Sequence, residues 1–248
     1  MDFHGLKPSG VQRAYPNVVN FEGVKGLENC KWEQRTGNGP VHDMPRYDVS
    51  IPYLRMLPGP LDYGRTHVDG ANMLAEALAP HDGVVLWRAF VYSPTDADRA
   101  KQAYLEFQPY DGQFADNVII QIKNGPIDFQ PREPFSPLFG ALKKTQMAAE
   151  LQITQEYTGA SNHLCYLATM WAETLEDDTY RDGEGSTIAK LTTSKAANVK
   201  KSAIAGVANI GDNSNWCGHP MAQANWYAFG RMAWNTSITP DSIAEEWI

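Results

Sequence analysis

The chain has 248 residues, enough for one sizeable core, with 43% hydrophobic and 20% charged residues, an ordinary globular balance. Its formal charge of -8 makes nucleic acid and other polyanions poor partners, and no apolar run approaches the ~20 residues of a membrane span. Three scattered cysteines, Cys30, Cys165 and Cys217, form no CxxC pair, which argues against a disulfide framework or a zinc site.

Residues 1 to about 62 are rich in Gly, Pro and Asn, with few periodic stretches. The start, MDFHGLKPSG, lacks the charged and apolar segments of a secretory signal and reads as the middle of a fold, so a cytoplasmic location is expected. Beyond it, Ala71–Ala79 has a short helical pattern stopped by Pro80. Gly83–Tyr92 is a nearly continuous apolar run, as in a strand buried on both faces. Asp96–Phe107 has helical spacing, with Ala100, Ala103, Tyr104 and Phe107 on one face. A second strand is expected over Asn117–Lys123, a third over Ala149–Glu156, a helix over His163–Glu173, a strand over Ala205–Ile210 and a helix over Pro220–Ala233. Strands and helices alternating at this spacing predict right-handed βαβ units and a parallel sheet. No GxGxxG or Walker loop follows any strand, so a (β/α)8 TIM-type barrel, or part of one, is favoured over a doubly wound sheet.

In such barrels chemistry sits at the C-terminal ends of the strands. Arg88 lies in the first strand, Lys123 ends the second with Asp128 just beyond, and Glu156 ends the third as expected here. Buried charge is costly unless paired or used. Two cations and two carboxylates on one rim therefore suggest hydrolysis of a glycoside that carries an anionic group: carboxylates to activate water, Arg88 and Lys123 to hold a sugar carboxylate. A structural ion-pair network is the alternative reading. Glu150, at the start of the expected third strand, reads as structural, while Arg132 and Glu133 read as residues that order the Asp128 loop. Trp216 and His219, in NWCGHP, are candidates to line a sugar pocket; a packed loop histidine is the other reading of His219.

The motifs WRAFVY, IKNGPIDFQPREPF, LQITQEY, GVANIG and NWCGHPMAQANWYAFGRMAW resemble the catalytic barrel of the family 67 xylan α-glucuronidases over residues 63–248. The resemblance implies removal of 4-O-methyl-glucuronic acid from xylooligosaccharides with inversion and with no metal or organic cofactor. It gives Asp128 and Glu156 the role of deprotonating the attacking water, and Arg88 and Lys123 that of holding the glucuronic acid. Ile248 falls where that family continues into helices with dimer contacts, so a homodimer is expected only if they are present. The family's general acid precedes the DYGRTHADGANML-type motif, here DYGRTHVDGANML from Asp62. Aligned on Pro58–Pro60, its place is held by Arg55, which cannot protonate a leaving oxygen because its pKa lies above about 12.

Residues 2–64, containing DFHGLKPSGVQRAYPNVVNFEGVKGLE, are similar instead to the late barrel of family 97 α-glucosidases and α-galactosidases. That resemblance would make Glu28 a general acid and Glu22 a calcium ligand of some members, with His4 where inverting members carry Glu. It implies a fusion of two partial barrels near residues 58–64. The alternative functions are then a family 97-type glycosidase, or a sugar-binding or truncated barrel without catalysis.

Overall fold

The computed structural model describes residues 60–89, 98–127, 129–131, 133–158, 165–193, 201–208 and 220–248. The chain divides into two compact units, residues 1–65 with 209–216, and residues 66–208 with 217–248. Of the first, only residues 60–65 are described: Pro60–Tyr63 form a 3-10 turn, and the Arg65 N–H donates to the Pro60 carbonyl at 2.9 Å. Everything below concerns the second unit.

It opens with helix α1 (His67–Leu78), which starts four residues before the expected Ala71. The reason is a capping box: Thr66 accepts the Asp69 N–H through its hydroxyl, and the Asp69 carboxylate accepts the Thr66 N–H at 2.7 Å. Four parallel strands follow, β1 (Val85–Arg88), β2 (Val118–Lys123), β3 (Gln146–Gln152) and β4 (Ala203–Val207), paired in the order in which they occur in the chain. A doubly wound sheet reverses its strand order at a switch point; a run of consecutive parallel neighbours is the order of part of an α/β barrel. Between and after the strands lie α2 (Gln102–Phe107), α3 (Leu138–Ala141), α4 (Ala168–Glu176), α5 (Ile188–Thr192), α6 (Gln223–Trp234) and α7 (Pro240–Trp247).

Several expected boundaries move. The third strand spans Gln146–Gln152 in place of Ala149–Glu156, so Glu156 lies in the turn beyond it. The fourth strand ends at Val207, and the helix expected at His163–Glu173 is Ala168–Glu176.

Side chains alternate between the two faces of the sheet. On one face Val118, Ile120 and Ile122 of β2 and Met147, Ala149 and Leu151 of β3 join a buried core with Phe107, Leu138, Phe139, Trp171 and Met232 from the helices. Trp171 meets the edge of Phe229 at a centroid separation of 6.1 Å and an interplanar angle of 87°. Consecutive right-handed crossovers put their helices on one side, so this is the outer face of the partial barrel. The opposite, inner face carries Arg88 of β1, Gln121 and Lys123 of β2, and Glu150 of β3, and this polarity separates the site from the core.

Loops before β2 are fixed by residues of the DYGRTHVDGANML motif. Asn72 accepts the Ala115 N–H at 2.7 Å and donates to the Gln113 carbonyl at 3.1 Å. Asn117 donates to the carbonyls of Ala75 and Gly83 at 2.8 and 3.0 Å, tying α1 to both strand entries. Asp69, Asn72 and Thr66 are thereby accounted for as structural members of that motif.

Candidate active site on the inner face of the sheet

Arg88 is the last residue of β1 and pairs in register with Gln121; Lys123, two residues further along the same face of β2, pairs with Glu150. This register brings three polar side chains from three adjacent strands together. Arg88 donates from Nε to Glu150 Oε2 at 2.8 Å and from Nη2 to Oε1 at 2.6 Å, a two-point grip. The Gln121 amide also donates to Glu150 Oε2. The Glu150 side chain is wholly inaccessible, whereas 32% of the Arg88 side chain is exposed. Glu150 therefore does not begin a strand away from the site, as the sequence suggested. It is the fifth residue of β3 and faces Arg88, because the strand starts at Gln146.

Lys123, at the end of β2, places its Nζ 4.7 Å from the centre of the Phe129 ring, within cation–π range. Phe129 is buried and has a φ of 62°, a left-handed backbone unusual for a bulky residue. The loop that carries it is pinned by Glu133, whose carboxylate accepts the N–H groups of Ile127 and Gln130, each at 2.7 Å. Glu133 thus orders the loop on both sides of position 128, as expected from the sequence. Asn124 starts this loop with its own N–H on the Glu150 carbonyl at 3.0 Å and its carbonyl accepting from Ser136 at 2.9 Å. Its side-chain Oδ1 is buried and has no hydrogen-bond partner among the described residues.

Glu156 is exposed, in the turn after β3, and accepts from Gln152 Nε2 at 2.9 Å. Its neighbour Gln155 is buried and donates to the Cys165 carbonyl at 3.1 Å. The same carbonyl accepts from Asn225 Nδ2 at 2.8 Å, and Asn225 Oδ1 accepts the Leu167 N–H at 2.8 Å. A fully buried Asn225 on α6 therefore ties the turn bearing Glu156 to the start of α4.

Of the residues expected in the site, Arg88, Lys123 and Glu156 are described. Asp128, Glu28, Trp216 and His219 lie outside the described residues, as do Arg55, Arg132, Glu22, His4, Cys30 and Cys217. Gln121, Gln155 and Asn225 are buried polar residues that the sequence reading did not single out, and Glu150, which it read as structural, is the buried ion-pair partner of Arg88. A signal for two of them existed: Gln121 interrupts VIIQIK, and Glu150 interrupts AAEL, each a polar residue inside a buried strand. Among the described residues no group of His, Cys, Asp and Glu is placed to hold a metal ion.

Curated proteins similar to this chain bear the name alpha-glucuronidase. Alpha-glucuronidase A of Emericella nidulans is 49% identical over 199 residues, covering 77% of this chain and 24% of its own length. Alpha-glucuronidase of Hypocrea jecorina is 46% identical over 195 residues, covering 77% of this chain and 23% of its own. Alpha-glucuronidase A of Aspergillus tubingensis is 44% identical over 259 residues, covering 97% of this chain and 31% of its own, so that match extends into the segment likened above to family 97. The chain spans about a quarter to a third of the length of these curated relatives. The middle-domain profile of glycosyl hydrolase family 67 matches residues 54–216, and the C-terminal profile of the same family matches residues 217–248. With both profiles meeting at residue 217 and the motif residues Arg88, Lys123 and Glu156 inside the first, this chain belongs to glycosyl hydrolase family 67.

Proposed function

We propose that the chain carries the uronate-binding and water-activating part of an α-glucuronidase that releases (4-O-methyl)-glucuronic acid from xylooligosaccharides with inversion. The observation that carries this reading is Arg88, held by a buried Glu150 on the inner face of the sheet, one strand away from Lys123. A guanidinium and an ammonium on one polar face suit a sugar carboxylate. The names of the family 67 relatives support the same substrate class.

In the reaction as proposed, Asp128 or Glu156 takes a proton from water as its oxygen bonds to the anomeric carbon. The glycosidic C–O bond breaks with its electrons on the leaving oxygen, which takes a proton from a general acid. No metal or organic cofactor enters this scheme. Four consecutive parallel strands support a full (β/α)8 barrel as the framework. Arg55 in the place of the acid favours a second reading, sugar binding without turnover, because an arginine does not give up its proton near neutral pH. Were residues 2–64 related to family 97, as their sequence resemblance implies, Glu28 would be the remaining acid candidate.

The test is release of glucuronic acid from aldouronic acids, with the anomer followed by proton NMR and aryl α-glucosides as the comparison. Release of the β-anomer from aldouronic acids alone is expected. Hydrolysis of the aryl α-glucosides instead would replace this reading with a family 97-type activity, and calorimetric binding of glucuronate without turnover would leave only the binding reading.

A further inference from the structure

The in-and-out alternation of β3 continues past its last strand residue. Leu151, Ile153 and Gln155 are buried, whereas Gln152 and Thr154 are half-buried and Glu156 is exposed. Gln152 closes the strand two residues after Glu150 and so faces the same inner side of the sheet. Its Nε2 donates to Glu156 Oε2 at 2.9 Å. Among the described residues this amide is the one hydrogen-bond partner of the Glu156 carboxylate, and none of them bonds Oε1.

The backbone that carries Glu156 is held separately. Gln155 lies on the buried side of the turn and donates to the Cys165 carbonyl, which Asn225 also grips. Buried amides thus fix the turn, and Gln152 fixes the carboxylate. The two kinds of bond have different consequences. A bond between accessible groups exchanges with water and adds little to folding. What it does is restrict a long side chain that otherwise turns freely about each of its bonds, by tying one oxygen to the rigid end of β3. The chemistry of the partner fits a base: an amide N–H only donates, so it favours the ionised carboxylate that has to accept a proton.

Resting on the reading of Glu156 as a base, we propose that Gln152 is the positioning residue for Glu156: its amide ties Oε2 to the end of β3 and directs Oε1 to the water that attacks the anomeric carbon. Gln152 touches no substrate and acts through Glu156. In the step it serves, the water oxygen bonds to the anomeric carbon and a water proton passes to Glu156 Oε1. The bond to the leaving group breaks with its electrons on that group.

The experiment is hydrolysis of α-glucuronosyl fluoride by the full chain, followed as fluoride release. Fluoride departs without being protonated, so the rate reads the base step whatever residue stands in the place of the acid. Glu156→Gln is expected to lower kcat at least about a hundredfold. Gln152→Met keeps the length of the side chain and removes the donor; it is expected to lower kcat about tenfold, with KM and the thermal midpoint unchanged. In a Glu156→Gln background the same substitution is expected to have no further effect, since residues that act as one unit are not additive. An unchanged kcat, a loss that appears in KM, or a full additional loss in the Glu156→Gln background overturns the proposal. Should Gln152→Met lose its cooperative thermal transition, Gln152→Glu keeps size and polarity and sets an acceptor against Oε2. It is expected to lower kcat at least as far, and an unchanged kcat there overturns the proposal equally. Fluoride release that survives Glu156→Gln, or its absence from the unaltered chain, overturns the reading of Glu156 as the base and the proposal with it. Release that needs Glu156 but ignores Gln152 overturns only the positioning role.

Discussion

Glu133 reaches back six residues to Ile127, accepting its backbone N–H at 2.7 Å, and with its other oxygen takes the N–H of Gln130. The bond pair holds the chain on both sides of position 128 and is packed directly on Gly125. A Cβ on Gly125 would collide with the Glu133 carboxylate and would lie 2.7 Å from its Cβ, so the glycine of the NGP turn is required by this side chain.

Glu133→Ala is therefore expected to leave two N–H groups to find other partners, at a cost of about 1–3 kcal/mol. Because the base candidate Asp128 sits between those groups, turnover should suffer more than binding: a fall of at least about tenfold in kcat for glucuronic acid release, with little change in KM. Gly125→Ala should reproduce the effect by displacing Glu133. Kinetics on aldouronic acids, paired with thermal melts, check both, and an unchanged kcat in a folded Glu133→Ala protein counts against a role for this clamp.

His67 lies against Phe107 with ring centroids 4.6 Å apart and an interplanar angle of 27°, and its Nδ1 accepts from Trp87 Nε1 at 3.3 Å. Burial lowers its pKa below the ordinary histidine value, outweighing Glu106, whose carboxylate lies 3.4 Å from Nε2 and pulls the other way. A folded-state pKa below the unfolded one means the unfolded chain binds the proton more readily. The stability that results is present above about pH 6.5, the unfolded value, and is lost as pH falls through the folded pKa. The midpoint of urea unfolding should therefore drop from pH 7.5 to pH 5.5, and in His67→Gln that part of the drop should vanish. A slope unaltered by the substitution would assign it to other groups.

The parts of the fold that were legible are those where one face or both are continuously apolar. The second strand, VIIQIK, was expected within one residue of its observed start because four β-branched residues in six leave little choice. The third was displaced by three residues at its start because Gln146-Met-Ala-Ala-Glu150 contains no β-former, while Ile153-Thr154 and Tyr157 beyond it do favour extended chain. That shift hid the site's main ion pair: Arg88 and Glu150 are 62 residues apart, and only the strand register shows that they face each other. Helices α3 and α5, of four and five residues, are shorter than the roughly 11–18-residue window over which helical periodicity can be read. The candidate cations were read from motif and strand ends, but the buried amides that organise the turns, Gln155 and Asn225, leave no pattern in a single sequence.

Asn225 should be among the most sensitive positions of α6. It is fully buried, and its amide serves the Cys165 carbonyl and the Leu167 N–H at once. Asn225→Ala leaves the Leu167 N–H unpaired, at about 1–3 kcal/mol, and leaves the Cys165 carbonyl with Gln155 alone. Asn225→Asp keeps the acceptor for Leu167 but turns a donor into an oxygen facing the Cys165 carbonyl, so it should be no better tolerated. Chemical denaturation measures both, and a loss below about 1 kcal/mol for either would mean that Gln155 alone holds the Cys165 carbonyl.

Gly206, in the middle of β4, has no room for a side chain on the outer face. A Cβ there would lie 2.7 Å from Phe229 Cζ and 2.8 Å from Ile153 Cδ1, both in the layer between β4 and α6. Such contacts require the ring and the isoleucine to shift together, and overpacking of this kind costs about 1–3 kcal/mol. Gly206→Ala should thus lower the unfolding free energy by that amount, while Gly230→Ala on α6, where a Cβ meets nothing within 4 Å, should be neutral or mildly stabilising. Pairing Gly206→Ala with Phe229→Leu should recover part of the loss, because the smaller side chain vacates the space that the new methyl needs. If the pair is simply additive, the destabilisation arises from the strand backbone and not from the contact with Phe229.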